Sequence, residues 1–252
     1  VSALRTAAVL AAAALTLAGC VARENPSTGA GDDTGTTTAE ETTSADPGES
    51  GESGGTDGDC AFSPDGSGEP AVGLPPDDGP VDATKLALTT SAGPITIEFD
   101  AERAPCTVQS MAFLAGEGFF DGTNCHRLTT MEGLRVLQCG DPNGDGTGGP
   151  GYVVPDEFPT DLKPSQDGQT VVYERGMVAM ANAGPGTTGS QFFLVYDAST
   201  LPPDYTMFGT MDAASLATLD KVASGGVQPG SDRGPEDGTP VTAVEIESAE
   251  VS

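Results

Sequence analysis

The spacing of apolar positions divides the chain into two unlike parts. From Val21 to Asp82 aliphatic side chains other than alanine are scarce, whereas from Ala83 onward short apolar runs recur between Gly- and Pro-rich breaks. Lys85–Thr90 and Ile95–Phe99 alternate around Ser91-Ala92-Gly93-Pro94, the pattern of a β-hairpin. A helix is predicted from Pro105 to Ala115. Proline suits its first turn, and Val108, Met111, Ala112, Leu114 and Ala115 recur near the helical period until Gly116 and Gly118 stop it. Further strands are predicted at Cys125–Thr129, Val136–Cys139, Met177–Ala181, Phe192–Val195 and Met207–Met211. A second helix over Ala213–Ala223 aligns Leu216, Leu219 and Val222 and ends at Gly225-Gly226, and a last strand is predicted over Val241–Ile246. Many short strands with two helices imply a mainly β domain, a barrel capped by helices, and the length supports one such domain.

The most informative stretch is Gly176–Tyr196. Two apolar runs, Met177–Met180 and Phe192–Val195, flank a segment of Asn, Gly, Pro, Thr and Ser that suits neither strand nor helix. It is predicted to be an ordered loop held by two strands, a common setting for binding groups. Gln191 and Phe193 are two apart, so an extended backbone puts amide and ring on one face. A hydrogen-bonding group beside an aromatic wall suits a peptide carrying an apolar residue. A core hairpin with a polar turn would show the same pattern.

Charge changes the picture mainly for the N-terminal part. The chain has 38 acidic and 10 basic residues, a formal net charge of −28. Residues 21–82 carry much of that excess and contain one basic residue, Arg23. Such a tract buries too little apolar surface to offset the entropy of ordering it, so an extended acidic tether is expected, its last part docking on the domain. The balance argues against nucleic acid as a partner. Ahead of the tether, Arg5 and the apolar run Ala7–Leu17 read as a targeting segment, too short to span a bilayer. Leu17-Ala18-Gly19-Cys20 resembles a bacterial lipobox. That resemblance implies lipidation at Cys20 and a membrane anchor on the outer face of the cytoplasmic membrane, with residues 1–20 as signal peptide.

Four further cysteines, Cys60, Cys106, Cys125 and Cys139, make an even count in an exported chain, which favours disulfides. Three pairings are open; Cys106–Cys125 with Cys60–Cys139 is favoured, the second pinning the tether to the barrel. A structural metal is disfavoured, because there is no CxxC pair and His126 is the only histidine. Asp141–Gly146 looks like the start of a calcium loop, but Tyr152 stands where a bidentate Glu is required. Gly146–Gly151 lacks the lysine of a phosphate-binding loop. Cys125 and His126, as strand neighbours, would face opposite ways, which excludes a nucleophile–base pair.

MANAGP (Met180–Pro185) followed by GSQFF (Gly189–Phe193) resembles the signature of the cyclophilins, a family of peptidyl-prolyl cis-trans isomerases. CHRL (Cys125–Leu128), Val136–Tyr152 and Tyr205–Gly209 resemble further family motifs in the same order, so the likeness spans about Ala83–Val251. It implies a closed eight-stranded antiparallel barrel with a helix over each end, a monomer working on proline-containing segments of exported proteins without metal or cofactor. It assigns Arg127 as the catalytic arginine, with Gln138 and Gln191 holding substrate or orienting it. Asn182, between Ala181 and Ala183, would bind the residue ahead of proline through its backbone, and Phe193 would floor the proline pocket with Leu201 beside it. Departures are plain. Extra residues lie between His126 and Gln138, which makes Val136 a pocket wall and leaves Arg135 unsuited to one. Tyr205 replaces a pocket histidine, and Thr200 stands where the family carries a tryptophan that contributes to cyclosporin binding, so weak cyclosporin sensitivity is expected. A barrel that grips proline peptides without turnover is the alternative expectation.

Overall fold

The computed structural model describes residues 60–76 and 82–252. The targeting segment, Cys20 and the tether up to residue 59 lie outside the described residues, as do 77–81. Strand β1 (Ser63–Pro64) comes first, followed by β2 (Lys85–Thr90) and β3 (Ile95–Phe99), which form the predicted hairpin. Helix α1 (Pro105–Gly116) precedes β4 (Thr123–Asn124), β5 (Arg127–Thr129), β6 (Val136–Cys139) and β7 (Tyr152–Val153). Then come β8 (Val171–Tyr173), β9 (Met177–Met180), β10 (Phe192–Val195), β11 (Ser199–Leu201) and β12 (Met207–Met211). Helix α2 (Ala213–Ser224), β13 (Asp237–Gly238) and β14 (Glu245–Val251) complete the order.

The main sheet runs β13-β5-β6-β10-β9-β12-β3-β2-β14-β4, with every pairing between neighbours antiparallel. Its two ends meet in one piece of chain, because β4 and β5 are interrupted only by Cys125-His126. The sheet therefore curls back on itself through eight strand segments, β4 and β5 counting as one and β13 as an appendage. Alternation decides what fills it. Leu86, Leu88, Ile95 and Ile97 point inward with Leu137, Phe192, Leu194 and Phe208. Helix α1 packs on β14 and α2 on β3, the latter started by Asp212, whose carboxylate accepts the Ser215 N–H at 2.7 Å.

The structure alters three expectations. The disulfides are Cys60–Cys106 and Cys125–Cys139, not Cys106–Cys125 with Cys60–Cys139. Antiparallel register pairs Arg127 with Gln138 and Asn124 with Asp141, which brings Cys125 within one position of direct opposition to Cys139, while Cys106 lies in the first turn of α1 and faces the incoming segment. The last strand is Glu245–Val251, not Val241–Ile246. Val241–Ala243 follow Pro240 outside any ladder, and Glu245, Glu247 and Glu250 are outward positions of a strand whose buried residues are Ile246 and Ala249. The predicted strand at Cys125 begins at Arg127.

The folded unit also reaches N-terminal of Ala83. Residues 60–76 lie against the domain as a strap: β1 pairs with β7, the Asp65 N–H donates to Gly151 O at 3.1 Å, and Gln109 Nε2 donates to Pro76 O at 2.6 Å. Gly151, at φ +87°, permits this approach, since a side chain there would collide with the Pro70 backbone. Helix α1 buries three polar side chains besides its apolar face: Gln109 meets the strap, the Thr107 hydroxyl donates to the Glu157 carboxylate at 2.7 Å, and Ser110 shares a hydrogen bond with the Tyr152 hydroxyl at 2.8 Å.

Candidate active site

Register creates the site. Arg127 on β5 is opposite Gln138 on β6, Gln138 opposite Phe193 on β10, Phe193 opposite Ala179 on β9, and Ala179 opposite Met207 on β12. Residues directly opposed in antiparallel strands share a face, so these five form one row across the outside of the barrel, polar at one end and apolar at the other. The inward neighbours Leu137, Phe192 and Phe208 belong to the main core; Phe193, Ala179 and Met207 belong to a second apolar cluster.

At the polar end the Arg127 guanidinium is gripped from behind. Nε and Nη2 donate to the two carboxylate oxygens of Asp237 at 2.7 and 2.8 Å, and Nη1 donates to Gln138 Oε1 at 3.2 Å. Gln138 Nε2 donates to Gln191 Oε1 at 2.9 Å, and Gln191 Nε2 donates to the carbonyls of Gly146 and Gly148 at 3.1 and 2.8 Å. Three predicted residues thus form one hydrogen-bonded line. The Asp237 carboxylate raises the Arg127 pKa against the opposing effect of burial. A guanidinium has five N–H groups, so two have no partner among the described residues: one on Nη1 and one on Nη2.

The Gly-rich loop that receives Gln191 is built on Asp141, which is fully buried and accepts the N–H groups of Asn143, Asp145, Gly146 and Gly148. Its carboxylate is occupied by its own loop, which explains the calcium-like sequence without a cation. Gly148 is required there, because a Cβ would collide with that carboxylate.

The apolar end gathers Val136, Phe193, Leu201 and Tyr205 with Tyr173, Met207 and Leu134. Phe193 meets Tyr205 and Tyr173 edge-on at 5.5 and 6.1 Å between ring centroids. The Tyr173 hydroxyl donates to Tyr205 O at 2.8 Å, which fixes the segment replacing the expected histidine. Arg135 turns to Asp197 at 3.7 Å and forms no part of this wall. Thr200 is exposed on β11.

Beside the row, just beyond the end of β9, lies Asn182. Its side chain is committed to the loop, donating to Asp204 O at 2.7 Å and accepting the Gly184 N–H at 3.1 Å. Ala181 N–H donates to Gln191 O and Ala183 N–H to Thr187 Oγ1. The backbone N–H and C=O of Asn182 have no hydrogen-bond partner among the described residues, an arrangement that suits pairing with an extended peptide.

Sequence reading missed Asp237 and Tyr173. Asp237 sits on the two-residue strand β13 inside an aperiodic Gly- and Pro-rich stretch, 110 residues from the arginine it holds; Tyr173 sits on a three-residue strand. Cys125 is spent in its disulfide, and His126 is buried beside it, its Nδ1 without a partner among the described residues and its pKa lowered, chiefly by burial. Neither reaches the row.

Comparison with known proteins agrees with this geometry. The family model described as cyclophilin type peptidyl-prolyl cis-trans isomerase matches residues 85–251. A probable peptidyl-prolyl cis-trans isomerase B of Mycobacterium leprae is 54% identical over 178 residues, covering 69% of this chain and 58% of its own length. Peptidyl-prolyl cis-trans isomerase B of Streptomyces anulatus is 40% identical over 167 residues, covering 60% of this chain and 89% of its own. The chain thus spans little more than half the length of its mycobacterial relative. Among solved structures, a Cryptosporidium parvum cyclophilin type isomerase superposes with a TM-score of 0.53 at 24% identity, covering 68% of this chain and 98% of its own, which supports the fold. Together with the row of Arg127, Gln138 and Phe193, the match across nearly all of the folded part places the chain in the cyclophilin-type peptidyl-prolyl cis-trans isomerase family.

Proposed function

We propose that this chain catalyses cis–trans isomerisation of X-Pro bonds in exported polypeptides, tethered to the membrane through Cys20. The observation that carries the catalytic reading is the single row in which a back-anchored guanidinium adjoins an apolar aromatic pocket. The disulfides support an oxidising compartment; the lipobox-like Leu17–Cys20 motivates the anchor.

Amide resonance opposes rotation with a barrier of about 18–20 kcal/mol, so an X-Pro bond left alone turns over in tens to hundreds of seconds. Acceleration requires groups that favour the twisted bond over both planar forms. The proline ring enters the pocket of Phe193, Val136, Leu201 and Tyr205, and the residue ahead of it pairs with the Asn182 backbone. With both sides held, rotation is confined to the bond between them. As the bond twists, the prolyl nitrogen becomes pyramidal and recovers its lone pair. The uncommitted N–H groups of Arg127 donate to that lone pair, which the planar forms do not offer. Asp237 and Gln138 keep the guanidinium in place, so little reorganisation accompanies the step. No bond is made or broken, and no proton leaves.

A coupled isomerase assay on the full oxidised chain tests this. Arg127→Ala is expected to lose about 10²–10³ in kcat/KM while still binding proline peptides. A folded wild-type chain with a rate equal to the thermal background would leave a peptide-binding barrel in its place.

A further inference from the structure

Beside the row is a cavity of about 420 Å³ that shares Gln138, Asn182 and Gln191 with the candidate active site. Loops of the domain supply part of its lining, including Gly149, Thr187 and Ser190, and the strap supplies Asp65 and Ser67. That strap lies ahead of the family-matched residues 85–251, so this wall comes from outside the matched domain. Among the described side chains lining the cavity, Asp65 alone carries a charge.

The carboxylate is held at the rim. The Asp65 N–H is fixed on Gly151 O, Oδ1 accepts the Ser67 N–H at 2.7 Å, and Cys60–Cys106 clamps the strap five residues upstream. Oδ2 has no partner among the described residues. Hydrogen bonds from Ser67 hold the carboxyl below its ordinary range, so it is ionised at neutral pH.

We propose that Asp65 makes this cavity a selective subsite for a lysine or arginine two residues ahead of the substrate proline. The proposal rests on the isomerase reading above. With proline in the Phe193 pocket and the next residue on the Asn182 backbone, an extended peptide advances about 3.3 Å per residue and carries the following side chain over the cavity. A long cationic side chain lays its methylenes along the barrel side and brings its charge to the Asp65 rim. An acidic side chain meets like charge there.

The test uses the full oxidised chain and three proline peptides that differ only in carrying Lys, Ala or Glu at that position. Kd and kcat/KM are measured at low and at high salt. The expected order is Lys over Ala over Glu, about threefold at each step and narrowing with salt. Asp65→Asn should flatten the order and Asp65→Lys should invert it. These variants change one site of 38 acidic residues, so a preference arising from overall charge would survive Asp65→Asn, and that result overturns the proposal. Equal Kd for the three peptides also overturns it. The two readings fail separately: the predicted order in Kd without turnover of any peptide rejects the isomerase and keeps the subsite, whereas equal turnover of all three rejects the subsite and keeps the isomerase.

Discussion

The two ends of the outer row are held by different physics. At one end Arg127 is fixed by directional contacts: it donates two hydrogen bonds to Asp237 and one to Gln138, and behind that stand Gln191 and the carbonyls of the Gly-rich loop. At the other end Phe193, Tyr173, Tyr205, Val136 and Met207 are fixed by packing alone apart from one tyrosine hydroxyl. Hydrogen-bonded lines tolerate few residue types, because a missing partner leaves a buried polar group unsatisfied. Apolar walls tolerate many side chains of similar volume. The polar end should therefore govern the rate and the apolar end the affinity.

Removing Asp237 breaks this contrast most directly. Asp237→Ala frees the guanidinium without touching the pocket, and kcat is expected to fall about thirtyfold with KM little changed; Asp237→Asn, which keeps one acceptor, should recover part of the loss. Steady-state kinetics that moved KM instead would show Asp237 to be merely structural. Phe193→Leu sharpens the other side, with KM rising about tenfold and kcat nearly constant, checked by peptide titration alongside turnover. Thr200→Trp, at the exposed position flanking the pocket, is expected to raise cyclosporin affinity about fivefold, measured by inhibition of the same reaction.

The smallest effect lies outside the row. His126 is the only histidine, and burial lowers its pKa in the folded chain from 6.5. As pH falls below that value the unfolded chain takes up the proton first, so stability declines until the folded histidine also protonates. The slope is at most about 1.4 kcal/mol per pH unit. Urea midpoints between about pH 7 and about pH 5 should show this decline in the wild type and lose it in His126→Gln.

The same contrast explains what could be read before any coordinates. Arg127, Gln138, Gln191 and Phe193 stand in short local motifs whose residue types are chemically demanding, and the structure brings them together around Gln138, which is opposite Arg127 and Phe193 and donates to Gln191. The hairpin, both helices and most core strands followed from periodicity within windows of five to twelve residues. Asp237 did not, because its meaning depends on a partner 110 residues away. Tyr173 and Leu134 did not, because an apolar wall has no motif. The disulfide pairing depended on where the strap lands, and the last strand was obscured by outward glutamates and a register shift between Ile246 and Ser248.

The central claim is that Arg127 favours the twisted bond and does little for binding. Exchange NMR on one proline peptide, in the presence of the full oxidised chain, reads both properties in one sample. Wild type should shift the peptide resonances and accelerate cis–trans exchange far beyond the thermal rate. Arg127→Ala should keep the shifts and lose the acceleration. An Arg127→Ala chain that still accelerated exchange at the wild-type rate would contradict the account.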